Sequence, residues 1–153
     1  HSVSTVQEEI GLRGAKTAAG SVQPAVAIAV DVTHASDCPT IEKQKQGHIA
    51  IGEGPVIFRG PNINTKVSQR LIELCEQYSI PFQLAAIGRA TPNDANVLQV
   101  HGSGVATGLV AIPNRYMHSA VEVVSLSDIH NVAQLLAEFA LALSSEDDFT
   151  PGL

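Results

Sequence analysis

Residues 25–32 read Ala25-Val26-Ala27-Ile28-Ala29-Val30-Asp31-Val32, an apolar and β-branched run that a polar loop brings to a stop. A run of this length without alternation is the pattern of a strand covered on both faces in a mostly parallel sheet, with Asp31 at its C-terminal end. Upstream, Gly11 to Gly20 is rich in small residues and sets Leu12, Ala15 and Ala19 at helical spacing. Before it, Val3 to Gln7 reads as a short strand that ends in Glu8-Glu9. Downstream, Thr33 to Gly54 is a long polar loop, and a short strand follows between Glu53 and Pro61. Asn64-Thr65 caps a helix with Val67, Leu71, Leu74 and Cys75 on one face, ending near Tyr78. A strand opens at Pro81, Ala95 to Val100 forms one or two helical turns after a possible cap at Asn93 or Asp94, and Val105 to Ile112 is the next strand. Val121 to Val124 is a short strand, and Ser127 to Leu143 is an amphipathic helix with Ile129, Val132, Leu135, Leu136 and Phe139 inward. Strands and helices alternate throughout, so the expected class is three-layer α/β, a mostly parallel or mixed central sheet with helices on both faces.

The 153 residues are 44% hydrophobic, enough for one domain with a sizeable core. Residues 1–145 are expected to form it, and 146–153 an acidic, frayed tail. Nine Lys+Arg against fifteen Asp+Glu give a formal charge of -6 without a basic cluster. Phosphate neutralisation needs the opposite balance, so nucleic acid is not an expected partner. No apolar stretch approaches the ~20 residues that span a bilayer, so no membrane partner is expected either. Cys38 and Cys75 match neither a disulfide framework nor a zinc-finger spacing and read as reduced thiols, in keeping with a cytoplasmic protein. The chain also begins within a strand-like segment and without Met, as a piece of something longer would.

The chemistry-bearing residues are acidic groups and one histidine near strand ends: Glu8, Glu9, Asp31 and, much later, His118. Sites in open α/β sheets form outside the carboxyl ends of strands, where such separated residues converge on one cleft. Each also has an ordinary structural reading: a solvated Glu pair in a turn, an Asp that closes a loop, a hydrogen-bonded surface His.

Three segments narrow the choice: Thr5-Val-Gln-Glu-Glu-Ile-Gly-Leu-Arg-Gly-Ala, Ala29-Val-Asp-Val-Thr-His-Ala and Ile112-Pro-Asn-Arg-Tyr-Met-His-Ser. In this order they closely resemble the tetrahedral aminopeptidases of metallopeptidase family 42, over nearly the whole chain. The resemblance implies a zinc-peptidase-like fold and a metal-dependent aminopeptidase that removes N-terminal residues from peptides, homo-oligomeric in the parent protein, with two divalent ions, Zn or Co. It implies Glu8 as general base, Glu9 and His118 as ligands of one metal, and Asp31 as a ligand of the second. A carboxylate and an imidazole suit such ions, and a paired site serves peptide hydrolysis. Glu8 and Glu9 divide these tasks if a strand end turns them to opposite sides. His34, in the second segment, is expected to anchor its loop, and His48, His101 and His130 to stay outside the site.

Two ligands of the resembled family, a His in a Gly-His-Asp type segment and a bridging Asp, have no counterpart here, and neither has an inserted β-rich assembly domain. Thr91-Pro-Asn-Asp-Ala stands where the family commonly shows Gly-Gly-Thr-Asp-Ala. The expectation for the isolated chain is therefore a noncatalytic piece that binds at most one metal, weakly. An endoglucanase reading, attached to some relatives of this kind, is disfavoured. Glycosidases oppose two carboxyl groups roughly 5 to 9.5 Å apart across a sugar, and this chain has no Trp for a sugar platform.

Overall fold

The computed structural model describes residues 1–39 and 41–151. Ten elements follow one another: α1 (Arg13–Val22), β1 (Val26–His34), α2 (Lys43–Gln46), β2 (Val56–Arg59), α3 (Thr65–Tyr78), β3 (Gln83–Ala86), α4 (Ala95–Leu98), β4 (Ala106–Arg115), β5 (Val123–Val124) and α5 (Leu126–Ala142). The sheet runs β1-β4-β2-β3, and β5 adds to the end of β4. β1 lies parallel to β4 and β2 parallel to β3, but β2 runs antiparallel to β4, so the sheet is mixed. The carboxyl ends of β1 and β4 consequently leave the sheet side by side, with His34 in register with Asn114.

Strand periodicity sorts the side chains between two layers. On one face Ile57 and Val110 pack with Val67, Leu71, Leu74 and Cys75 of α3 and with Val132, Leu135 and Phe139 of α5. The close seat of α3 depends on Gly108, where a Cβ would stand 2.7 Å from a methyl of Val67. On the other face Ala29 and Leu109 pack with Ile63 and with Ala95 of α4. The three-layer α/β class holds. Asn64 caps α3 as expected, its side chain accepting the Val67 amide at 3.0 Å.

Five expectations need correction. Val3 to Gln7 is no strand, because it finds no ladder partner among the described residues. It lies instead against the start of α1, where the Gly14 amide donates to the Val6 carbonyl at 2.9 Å. A Cβ on Gly14 would sit 2.3 Å from that oxygen, so only glycine permits the approach. β1 is an edge strand with Val30 46% exposed, not one covered on both faces. Asp31 is its sixth residue of nine, since the ladder with β4 continues to His34. Ile129 is 40% exposed on α5 and lies outside the buried core. The tail is docked: Asp147 accepts from Arg70 at 3.0 Å, and the Phe149 ring stacks on Phe139 at 6.3 Å. Its last two residues lie outside the described residues.

The long loop after β1 contains α2 and is anchored at both ends. Ser36, fully buried, accepts the Ile49 amide at 2.9 Å and donates to the Gly47 carbonyl at 2.7 Å. Asp128, in the first turn of α5 and fully buried, accepts the amides of Gly52 and Gly54 at 2.7 and 2.9 Å. The helix start favours that negative charge.

Candidate active site

Glu8 and Glu9 sit in a tight turn ahead of α1. The Glu8 carbonyl accepts the Gly11 and Leu12 amides at 3.1 and 2.9 Å, and Gln7, Gly11 and Leu12 all take positive φ. The two carboxylates are therefore separated by turn geometry, not by strand alternation as the sequence reading assumed. Glu8 is half-buried and Glu9 exposed. Thr5 ties the segment down, its hydroxyl donating to Asp94 at 2.8 Å.

His118 arrives from the other end of the chain, on the turn between β4 and β5. Its Nε2 lies 3.5 Å from Oε1 of Glu9. Asp31 projects from β1 with its Oδ1 accepting the Val32 amide at 2.7 Å. Burial raises the Asp31 carboxyl above its ordinary range, the Val32 amide and the Asn93 side chain oppose this, and the charges of Asp94 and Glu9 add to the rise. The Glu8 carboxyl is raised too, first by burial, then by Asp31, Glu9 and Asp94, with His118 opposing. These mutual effects place all four sequence-identified residues in one electrostatic neighbourhood, together with Asp94.

Asp94 and Asn93 are additions to the four site residues; the sequence offers them as helix-cap candidates within the Thr91-Pro-Asn-Asp-Ala segment. Neither caps α4 through its side chain. The Asn93 side chain acts on Asp31 by lowering its carboxyl pKa, and Asp94 accepts the Thr5 hydroxyl. One oxygen of each, Oδ1 in both cases, is buried without a hydrogen-bond partner. The four carboxylates thus share a patch with few donors, and a bound cation would relieve their repulsion. In type, the carboxylates and imidazole fit a first-row divalent ion. In arrangement, Glu9 and His118 are the pair that meets, and among the described residues no three His, Cys, Asp or Glu side chains are grouped to hold a metal. The fit is that of part of a centre.

Around this patch the backbone is braced by partners that no local sequence signal announces. Arg115 forms a two-pronged pair with Asp37, Nε to Oδ1 at 2.8 Å and Nη2 to Oδ2 at 2.5 Å. Asp37 also accepts the Ile51 amide at 3.2 Å. The Arg115 guanidinium, with the Ile51 amide, holds the Asp37 carboxyl below its usual range. His34 ends β1 half-buried, His48 and His130 are exposed, and His101 lies beside Gly20 of α1.

The sequence model of the M42 glutamyl aminopeptidases matches residues 1–135. The chain belongs to the M42 glutamyl aminopeptidase family. It is 44% identical over 151 residues to the lysyl aminopeptidase of Pyrococcus furiosus, covering 97% of this chain and 42% of that protein. It superposes with a TM-score of 0.86 on a TET aminopeptidase from the marine sediment archaeon Thaumarchaeota archaeon SCGC AB-539-E09, at 33% identity over 94% of this chain and 40% of the other. A third relative is the TET1 peptidase of Pyrococcus horikoshii, which can assemble into a tetrahedron or a large octahedral shell. The TM-score is 0.70 at 27% identity, over 91% of this chain and 40% of that one. The M42 chain described here therefore spans about two-fifths of the length of these relatives.

Proposed function

We propose that this chain supplies part of the catalytic centre of a metal-dependent aminopeptidase that releases N-terminal residues from peptides. The observation that carries the reading is the meeting of Glu9 and His118 beside Glu8 and Asp31, within an M42 fold. Glu9 and His118 would hold one divalent ion, Zn or Co, and Asp31 would serve a second. An ion held there by Glu9 and His118 would supply Lewis-acid chemistry, polarising a peptide carbonyl and making water a better nucleophile near neutral pH. Glu8, half-buried and with a raised carboxyl pKa, is suited to accept the proton from the attacking water. The surplus negative charge of Glu9, Asp31 and Asp94 complements the ammonium of a peptide N-terminus.

Completing two metal positions takes more donors than these residues provide, so the activity belongs to a longer protein and the 153-residue chain by itself should be inactive. Homo-oligomerisation is likewise assigned to that longer protein. We place it in the cytoplasm, because Cys38 and Cys75 are both buried thiols, as a reducing compartment keeps them. No helix among the described residues is long and apolar enough to cross a membrane.

Glu8→Gln in the longer protein separates base from ligand. Turnover of an aminoacyl-anilide should fall about 10²–10⁴-fold with metal content unchanged, whereas Glu9→Gln or His118→Ala should lower metal content. Loss of metal with retained activity in Glu8→Gln would reverse the two roles.

A further inference from the structure

The turn that carries His118 holds two non-glycine residues at positive φ, Tyr116 at 60° and His118 at 66°. L-residues adopt this conformation only where their surroundings impose it. At His118 the imposing group is Glu122. One of its carboxylate oxygens accepts the His118 amide, and the other accepts Nδ2 of Asn114 at 3.0 Å. Asn114 is 1% exposed and fixed in the β1-β4 ladder, and its carbonyl accepts the Ala35 amide at 2.9 Å. Glu122 therefore links the buried end of the sheet to the backbone of His118. The neighbouring Arg115–Asp37 pair fixes the residue at which the turn begins.

We propose that Glu122 is a positioning residue of this centre, holding the His118 backbone in its left-handed conformation so that the imidazole stands over Glu9. It acts through His118, and the proposal rests on the reading of His118 as a metal-holding residue. Releasing the amide lets φ return to negative values, which carries the Cβ and the ring away from Glu9. Glutamine should preserve the device. Its one oxygen accepts the His118 amide, and its amide nitrogen donates to Asn114 once the Asn114 amide turns over. Asn114 Oδ1 is buried and unpartnered as it stands, so the flip leaves the number of unpaired atoms unchanged. Alanine removes both bonds.

The test is titration of the purified chain with Co(II), followed by the visible absorption of the bound ion, alongside hydrogen exchange at the His118 amide. Glu122→Ala should weaken cobalt binding about 10–100-fold and abolish protection of the His118 amide. Because Glu122 is exposed and water can take its place at Asn114 Nδ2, the urea midpoint should fall only slightly below that of the unaltered chain. Glu122→Gln should remain within about threefold, well under 1 kcal/mol. Unchanged binding in Glu122→Ala, or an equal loss in Glu122→Gln, overturns the positioning role. His118→Ala separates this from the underlying reading: if it binds cobalt as tightly as the unaltered chain, His118 is no ligand. If it binds weakly while Glu122→Ala does not, the role of Glu122 alone falls. Should the unaltered chain take up no cobalt, the metal reading falls, and equal His118 amide exchange with and without Glu122 overturns the proposal independently.

Discussion

Two sets of carboxylates in this molecule are treated in opposite ways. Asp37 and Asp128 are surrounded by donors: an arginine fork and an amide for the first, two glycine amides and a helix start for the second. Glu8, Glu9, Asp31 and Asp94 are instead gathered near one another, and burial with mutual repulsion raises Glu8 and Asp31 while Asp37 is lowered. A fold does not need the second arrangement. Concentrating like charge against the sheet costs stability, and the cost has a use if a cation or an ammonium group completes it.

The largest effect that would break this contrast is expected at Asp128. Asp128→Ala strands the buried Gly54 amide, removes the acceptor of the more exposed Gly52 amide and should cost about 3 kcal/mol in urea unfolding. A cost under ~1 kcal/mol would show that Asp128 is no anchor. Asp37 should matter less, since Arg115 retains access to water: Asp37→Asn is expected to cost about 1–2 kcal/mol at neutral pH. Its folded carboxyl lies below the ordinary value, so this contribution is fully present above the unfolded pKa and is lost as pH falls through the folded one. Comparing the two proteins at pH 7 and near pH 2 checks the sign. The smallest effect, and the one that sharpens the comparison most, is at Asp31. In metal-free protein Asp31→Asn should stabilise by about 0.5–1 kcal/mol while weakening metal uptake. Destabilisation there would place Asp31 with the structural carboxylates.

The fold was legible where periodicity and caps act locally. Val67, Leu71, Leu74 and Cys75 all turn inward, and Asn64 caps their helix. Burial also raises the Cys75 thiol to about 12, which marks it as a packing residue without thiolate reactivity. Legibility failed where a distant element decides. Val3 to Gln7 has strand composition and finds no partner strand among the described residues, and Ile129 has helical spacing yet stays 40% exposed. The docked tail had one available signal, an aromatic Phe149 amid acidic residues, and charge obscured it. For the site, the motifs singled out Glu8, Glu9, Asp31 and His118, which the fold brings into one neighbourhood. Asp37 and Glu122 went unread and Asn93 reads as a cap candidate, because each is an isolated polar residue whose meaning lies in a partner elsewhere on the chain or across a turn.

The central claim is that this chain carries one side of a two-metal centre. Equilibrium dialysis of the 153-residue protein against zinc tests it most directly. The account predicts a single weakly held zinc per chain, reduced by Glu9→Gln or His118→Ala, and without hydrolysis of aminoacyl-anilides. Two tightly held ions per chain with sustained turnover would contradict it.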